Sequence, residues 1–155
     1  MSNISIIVRA IIFNEDKTKI ILVRNKNQSF WYPPGGRWEH ESENILECVT
    51  REVFEEVGID VEPISFLYIR EGRSKSNMSN SSLEIFWLCK FSNAKDLNKN
   101  HIDLDFEGSV VESEWFKKGD LKNLTVFPIE LYERIWEDLS FICKEKDRFI
   151  GINIL

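Results

Sequence analysis

The sequence predicts one domain of mixed α/β (α+β-type) architecture, and three observations predict it. The chain has 155 residues, the size of a single domain. Its apolar segments run in the order strands, one central helix, more strands, final helix. That order is not a regular βαβ alternation, so a doubly wound parallel sheet is not expected. A chain of this length buries roughly 68–70% of the surface its unfolded form exposes, enough for a full core.

Each element has a local reason. Ile4–Phe13 is β-branched and apolar, which suits a buried strand. Asn14–Lys17 is a polar turn, and Lys19–Val23 a second strand, so the two read as a hairpin. A short aromatic run, Ser29–Tyr32, ends at Pro33-Pro34-Gly35-Gly36, a strong chain punctuator. A helix is expected over about Glu43–Val57. Ile45, Val49, Val53 and Val57 form its apolar stripe, Ser42 or Asn44 its cap, and Gly58 its left-handed end.

Strands follow at Ile59–Arg70, made irregular by Pro63, and at Leu83–Phe91. The Ser/Asn-rich stretch Gly72–Ser82 between them reads as a loop, and Ser92–Asp103 as a polar connection. Val110–Phe116 is a strand. The last long helix opens at Pro128, with Leu131, Ile135, Leu139 and Ile142 as its stripe and Lys144 and Lys146 suiting its C-terminal end. Arg148–Leu155 reads as an added strand.

Composition narrows the function classes. The chain is 43% hydrophobic and 30% charged, ordinary for a soluble protein. Net charge is −6 with a pI near 5.1, so the basic excess of a nucleic-acid binder is absent. An acidic protein acting on a polyanionic small molecule needs a cation between them. Cys48, Cys89 and Cys143 match neither a zinc spacing nor a disulfide framework, which favours a cytoplasmic setting with buried free thiols. The apolar N-terminus has no leading basic cluster, and no 18-residue apolar run exists, so neither a signal peptide nor a membrane span is expected.

The chemistry concentrates in Arg51-Glu52-Val53-Phe54-Glu55-Glu56-Val57-Gly58. On a helix, Glu52, Glu55 and Glu56 stand at i, i+3 and i+4 and share one face, at the edge of the apolar stripe. Each like-charge pair there costs about 0.2–0.5 kcal/mol. A hard divalent cation with oxygen ligands offsets that repulsion, and the absence of His and Cys disfavours zinc. Arg51 can pair with Glu55 at i+4. An acidic helix face is more often simply solvated. The Gly-Gly turn before it, where a backbone can approach a ligand closely, tips the reading toward a metal–phosphate site.

Gly36 through Ile59 resembles the Nudix box: Gly, five residues, Glu, seven residues, then Arg-Glu-aliphatic-x-Glu-Glu-x-Gly-aliphatic. Arg51, Glu52, Val53, Glu55, Glu56, Gly58 and Ile59 match, and Glu43 lies eight residues before Arg51. The departure is the spacing from Gly36 to Glu43, six residues instead of five, with Glu39, Glu41 and Glu43 all candidates for the box's first Glu.

The resemblance implies an α/β/α sandwich with a mixed central sheet. It also implies hydrolysis of a phosphoanhydride in a nucleoside diphosphate linked to another moiety, which includes nucleoside triphosphates and nucleotide conjugates. It implies Mg2+, with Mn2+ as a substitute, held by Glu52, Glu55, Glu56 and the Gly36 carbonyl. Arg51, Glu52 and Glu55 are its catalytic set, and Glu52 the candidate base. A late-loop carboxylate, Glu107 or Glu112, is a further candidate, though a solvated carboxylate is the commoner role.

Among Arg9, Arg24, Arg37, Arg70 and Arg73, the last two are the favoured phosphate contacts, because an arginine fork matches phosphate oxygens. Trp31, Tyr32, Trp38 and Phe86 are candidates to stack a base, with core packing the commoner role. His40 and His101 read as surface residues. The expected partner is a nucleotide-type small molecule, not a nucleic acid or a membrane, and relatives commonly form homodimers. A non-catalytic nucleotide-sensing module is the alternative function, but such modules usually lose the box glutamates that this chain keeps. A calcium-binding domain lacks any EF-hand pattern in support.

Overall fold

Strand β1, Ile4–Ile12, has both faces buried, and that organises the molecule. The computed structural model describes residues 4–73, 81–92 and 111–142. With a period of two, Val8, Ala10 and Ile12 point into one apolar cluster, while Ile11 and Phe13 point into a second on the other side. Strand β2, Lys19–Asn25, divides the same way, with Ile21 and Val23 against Ile20 and Leu22. β-branched runs buried on both sides are what such a central layer requires.

The main sheet has four strands in the order β3-β1-β5-β4. Here β3 is Gly35–Arg37, β4 is Val61–Arg73 and β5 is Ser81–Phe91. β1 runs parallel to β5 and antiparallel to β3, and β4 runs antiparallel to β5, so the sheet is mixed. β2 pairs antiparallel with β6, Val111–Lys117, in a separate two-stranded sheet.

The hairpin expected between β1 and β2 does not form. β1 has only two edges. β5 fills one, and the other is taken by residues 34–37, with the Ala10 N–H donating to the Pro34 carbonyl at 2.8 Å. The two strands therefore meet only at the single bridge Phe13–Ile20, around a turn in which Lys17 adopts a φ of 57°. Pro63 lies on edge strand β4 beside a register shift, a position a residue without an N–H tolerates.

Helix α1, Ile45–Val57, covers the first cluster with Cys48, Val49, Val53 and Val57. Asn44 caps it, accepting from the Leu46 and Glu47 N–H groups, while Glu47 reaches back to the Asn44 N–H. Gly58, at φ 72°, ends it in the left-handed region.

The second cluster is closed by Leu131, Ile135 and Leu139. The single final helix expected there is broken into α2, Glu130–Glu133, and α3, Ile135–Ile142. At the break the Trp136 indole N–H donates to the Leu131 carbonyl at 3.0 Å, and Tyr68 donates to Asp138 at 2.6 Å, tying α3 to β4. Helices thus cover both faces of the strand layer, as the α/β/α reading expects. Among the described residues no helix is long and apolar enough to cross a membrane.

Candidate active site

Burial of Val49, Val53 and Val57 fixes the rotation of α1 and turns its glutamates toward the Pro33–Gly36 turn. The Gly35 N–H donates to Glu56 Oε2 at 2.8 Å. The Glu52 carboxylate lies against Gly36, where a Cβ would come within 2.5 Å of both its oxygens. Gly35 has a φ of 148°, and any Cβ there would collide with the Val8 carbonyl of β1. The two glycines thus have different causes: Gly35 lets β3 lie close beside β1, and Gly36 admits Glu52.

Arg51 organises the acidic face. Its Nε and Nη2 donate to the two oxygens of Glu43 at 2.8 and 2.7 Å, a bidentate pair. Its Nη1 donates to Glu52 at 2.8 Å and to Glu55 at 3.0 Å. One guanidinium therefore holds three carboxylates apart. The expected Arg51–Glu55 pair is present, and the larger contact is with Glu43. Glu43 reaches Arg51, while Glu39 turns back to the Ser42 hydroxyl. The long loop closes on itself, with the Glu39 N–H donating to Glu43 and the Trp38 indole to the Glu43 carbonyl.

Electrostatics separates the glutamates. Burial pushes the Glu52 carboxyl above its ordinary value, Arg51 opposes the shift, and the charges of Glu55 and Glu43 add to it. Glu43 is held below its ordinary value by the Arg51 hydrogen bonds. Arg51 is raised by the same contact, locking it as a cation.

Among the described residues, no three acidic, histidine or cysteine side chains already converge as a metal cage. The donor set is nonetheless all oxygen, and the Glu52 carboxylate lies against Gly36 with no side chain between them. Those features fit a hard divalent cation bound by Glu52, Glu55, Glu56 and the Gly36 carbonyl.

The other candidates divide. Arg70 donates to Glu84 at 2.8 Å and stacks on Phe127, with its Cζ 4.0 Å from the ring centroid. It lines a cleft of about 160 Å³ together with Ile11, Tyr68, Phe86, Pro128 and Arg134. Glu112 is exposed and paired with Arg24 at 2.7 Å, and Arg24 lies over Trp31. Arg70 and Glu112 are thus held by Glu84 and Arg24 and not by the α1 carboxylates that pair with Arg51. The Arg73 side chain, Glu107, His101 and Cys143 lie outside the described residues, as do 74–80, most of the expected loop, and the C-terminal tail.

Trp31 and Phe86 are core residues, and Tyr32 and Trp38 pack partly buried against the core. His40 is exposed beside Trp38. Cys48 and Cys89 are buried free thiols. One functional candidate went unread in the sequence: Glu84, 5% exposed, between Arg9 and Arg70. Its signal was a charge at an inward position of β5, in step with Phe86 and Leu88.

The family model described as NUDIX domain matches residues 5–135. The chain is 44% identical over 71 residues to the zebrafish (Danio rerio) protein named 8-oxo-dGDP phosphatase NUDT18, covering 44% of this chain and 22% of that protein. It is 32% identical over 117 residues to human (Homo sapiens) nucleoside diphosphate-linked moiety X motif 6, covering 74% of this chain and 34% of that one. The chain thus spans about a fifth to a third of the length of these curated relatives. A solved NUDIX hydrolase from Nitrosomonas europaea superposes with a TM-score of 0.71 at 21% identity, over 98% of each chain, which shows the shared fold.

Proposed function

This chain belongs to the Nudix family, and from that premise we propose that residues 1–155 form one hydrolase domain. It cleaves a phosphoanhydride in a nucleoside diphosphate linked to another moiety. The observation that carries the reading is the seating of Glu52 on Gly36 beside the Glu56–Gly35 hydrogen bond. It places a desolvated carboxylate, a second carboxylate and a bare backbone at one point, which a merely solvated acidic helix has no need to do.

The reaction is in-line attack of water on phosphorus. The water oxygen forms the new P–O bond, the bridging P–O bond breaks, and the leaving phosphate departs with its electron pair. Glu52 takes the proton of the water, for which its upward-shifted carboxyl is suited. Arg51 keeps Glu52 and Glu55 oriented through its Nη1. Glu52, Glu55, Glu56 and the Gly36 carbonyl would hold Mg2+ or Mn2+. The cation supplies charge neutralisation and orientation of the phosphates. Arg70, on the rim of the cleft with the apolar floor Ile11–Phe86, is the candidate contact for the moiety beyond the diphosphate.

The test is phosphate release from a panel of nucleotides and nucleotide conjugates, with Mg2+, with Mn2+ and with chelator, on wild type and Glu56→Gln together. Metal-dependent turnover that is lost in the variant supports the hydrolase, and the best substrate defines its class. Nucleotide binding without turnover across the panel rejects it in favour of a sensing module.

A further inference from the structure

Glu84 is an expensive residue where it stands. It is 5% exposed, on the face of β5 that carries Phe86 and Leu88, and a buried carboxylate is destabilising unless its partners compensate it. Both of its oxygens are occupied. Arg9 donates to Oε1 through Nε and Nη2, each at 3.3 Å, and Arg70 donates to Oε2 at 2.8 Å. A carboxylate gripped at both oxygens cannot rotate, so it holds Arg9 in one place.

Arg9 has a third contact, and it leads out of the cluster. Its Nη1 donates to the Pro33 carbonyl at 3.1 Å. The next residue, Pro34, receives the N–H of Ala10 at 2.8 Å. Gly35 donates to Glu56, and Gly36 carries Glu52. Of these four consecutive residues, Pro33 and Pro34 are thus held from β1, while Gly35 and Gly36 meet α1. Among the described residues, the donor to the Pro33 carbonyl is the guanidinium of Arg9.

We propose that Glu84 and Arg9 are positioning residues of the hydrolytic site: Glu84 fixes Arg9, Arg9 fixes the Pro33 carbonyl, and that contact sets the Gly35–Gly36 turn against Glu52 and Glu56. The inference rests on the hydrolase reading above. The arrangement needs arginine, because one guanidinium must serve Glu84 and a carbonyl at once; the lysine ammonium, a point charge, can satisfy the carboxylate but not both directions. Arg70 closes the other side of Glu84, so the same carboxylate anchors the turn and the rim of the cleft.

Arg9→Lys is the decisive variant, since it keeps the charge beside Glu84 and gives up the reach to Pro33. Amide exchange is followed by NMR on the metal-free protein, with Mn2+ affinity and steady-state kinetics on the same samples. Exchange at Gly35 is expected to rise about tenfold, while Val53 and Val57 in α1 stay as protected as in wild type. Mn2+ affinity and kcat are expected to fall about ten- to a hundredfold, the range for loss of an outer-shell support. KM should stay within about twofold.

Glu84→Gln should give the same profile, and Arg70→Lys should act on KM instead. Unchanged Gly35 exchange and kcat in a folded Arg9→Lys protein would overturn the proposal. So would exchange that rises equally at Gly35 and throughout α1, which is loss of fold rather than release of a clamp. If wild type hydrolyses nothing, the hydrolase reading falls, and Gly35 exchange still decides whether Arg9 holds the turn.

Discussion

The Glu52 carboxylate rests on Gly36 so closely that a Cβ at that glycine would sit 2.5 Å from its Cδ and from both oxygens. Gly36 does not adopt a positive φ, so alanine is acceptable to its backbone. The clash falls on the far end of a flexible side chain, which can swing away. Gly36→Ala should therefore cost little stability and much activity. We expect kcat to drop about a hundredfold, the scale of an ångström-level misplacement, with a melting temperature close to wild type. Full activity in a folded Gly36→Ala protein would show that Glu52 does not act from this position.

Glu43 and Arg51 give a stability prediction with a sign. Glu43 is lowered by the Arg51 hydrogen bonds. A carboxyl depressed in the folded state contributes stability that is fully present above its unfolded value, near 4.5, and is lost as pH falls through the folded value. Glu43→Gln should thus destabilise the protein at pH 7 by about 1–2 kcal/mol, since a charge-assisted pair becomes a neutral one. The difference from wild type should shrink as pH falls below about 4. Urea unfolding of both proteins from pH 7 to pH 3 measures it. A deficit that does not narrow in acid would mean that the pair is not the source.

Which parts were legible in the sequence follows from the range of the interactions. Helix α1 was readable because its stripe, its Asn44 cap and its Gly58 end are all local. The shared face of Glu52, Glu55 and Glu56 follows from helical spacing alone. Strand partners are non-local. Nothing within Ile4–Ile12 tells that it pairs parallel with Ser81–Cys89, and that pairing, with residues 34–37 on the other edge, is what prevents the hairpin with β2. The break at Arg134 depends on the Trp136 indole finding the Leu131 carbonyl, a rotamer-level event within a stripe that otherwise reads as one helix. Arg9 reads in sequence as an interruption of a strand. It is also one of five candidate phosphate contacts, and its partnership with Glu84, 75 residues away, is what the sequence does not show.

The buried thiols predict slow chemistry. Burial pushes Cys89 up to about 12, and Cys48 is raised by burial and by the neighbouring charge of Glu43. At pH 8 the thiolate fraction of Cys89 is then on the order of 10⁻⁴, and only the thiolate is nucleophilic. Iodoacetamide should label neither residue in the native protein on a timescale that labels both in denaturant. Peptide-resolved mass spectrometry distinguishes them from Cys143. Rapid native labelling at Cys48 would mean that the Arg51–Glu43 face opens readily.

The extra residue between Gly36 and Glu43 makes the last prediction. An inserted loop residue is cheap in entropy, on the order of a few tenths of a kcal/mol, so its mere presence needs no compensation. Here, however, the loop is built around it. The Ser42 N–H donates to the Glu39 carbonyl at 2.9 Å, the Glu39 N–H donates to the Glu43 carboxylate at 3.2 Å, and the Trp38 indole donates to the Glu43 carbonyl at 3.0 Å. Together these contacts deliver Glu43 to the Nε–Nη2 edge of Arg51. Deleting either His40 or Glu41 shortens the path while leaving every one of those partners in the chain. If the loop is a passive bulge, the deletion variant recloses, keeps the bidentate pair and keeps its activity. If the turn at Glu39–Ser42 is what aims Glu43, the deletion frees Arg51 on that side. Glu52 and Glu55, which share the Nη1 of Arg51, then lose their fixed orientation. We expect the second outcome, with kcat lowered about tenfold and stability reduced to the level of Glu43→Gln, because both changes remove the same pair. The double variant makes the assignment: combining the deletion with Glu43→Gln should be no worse than either alone. Additive losses would place the loop's contribution somewhere other than Arg51.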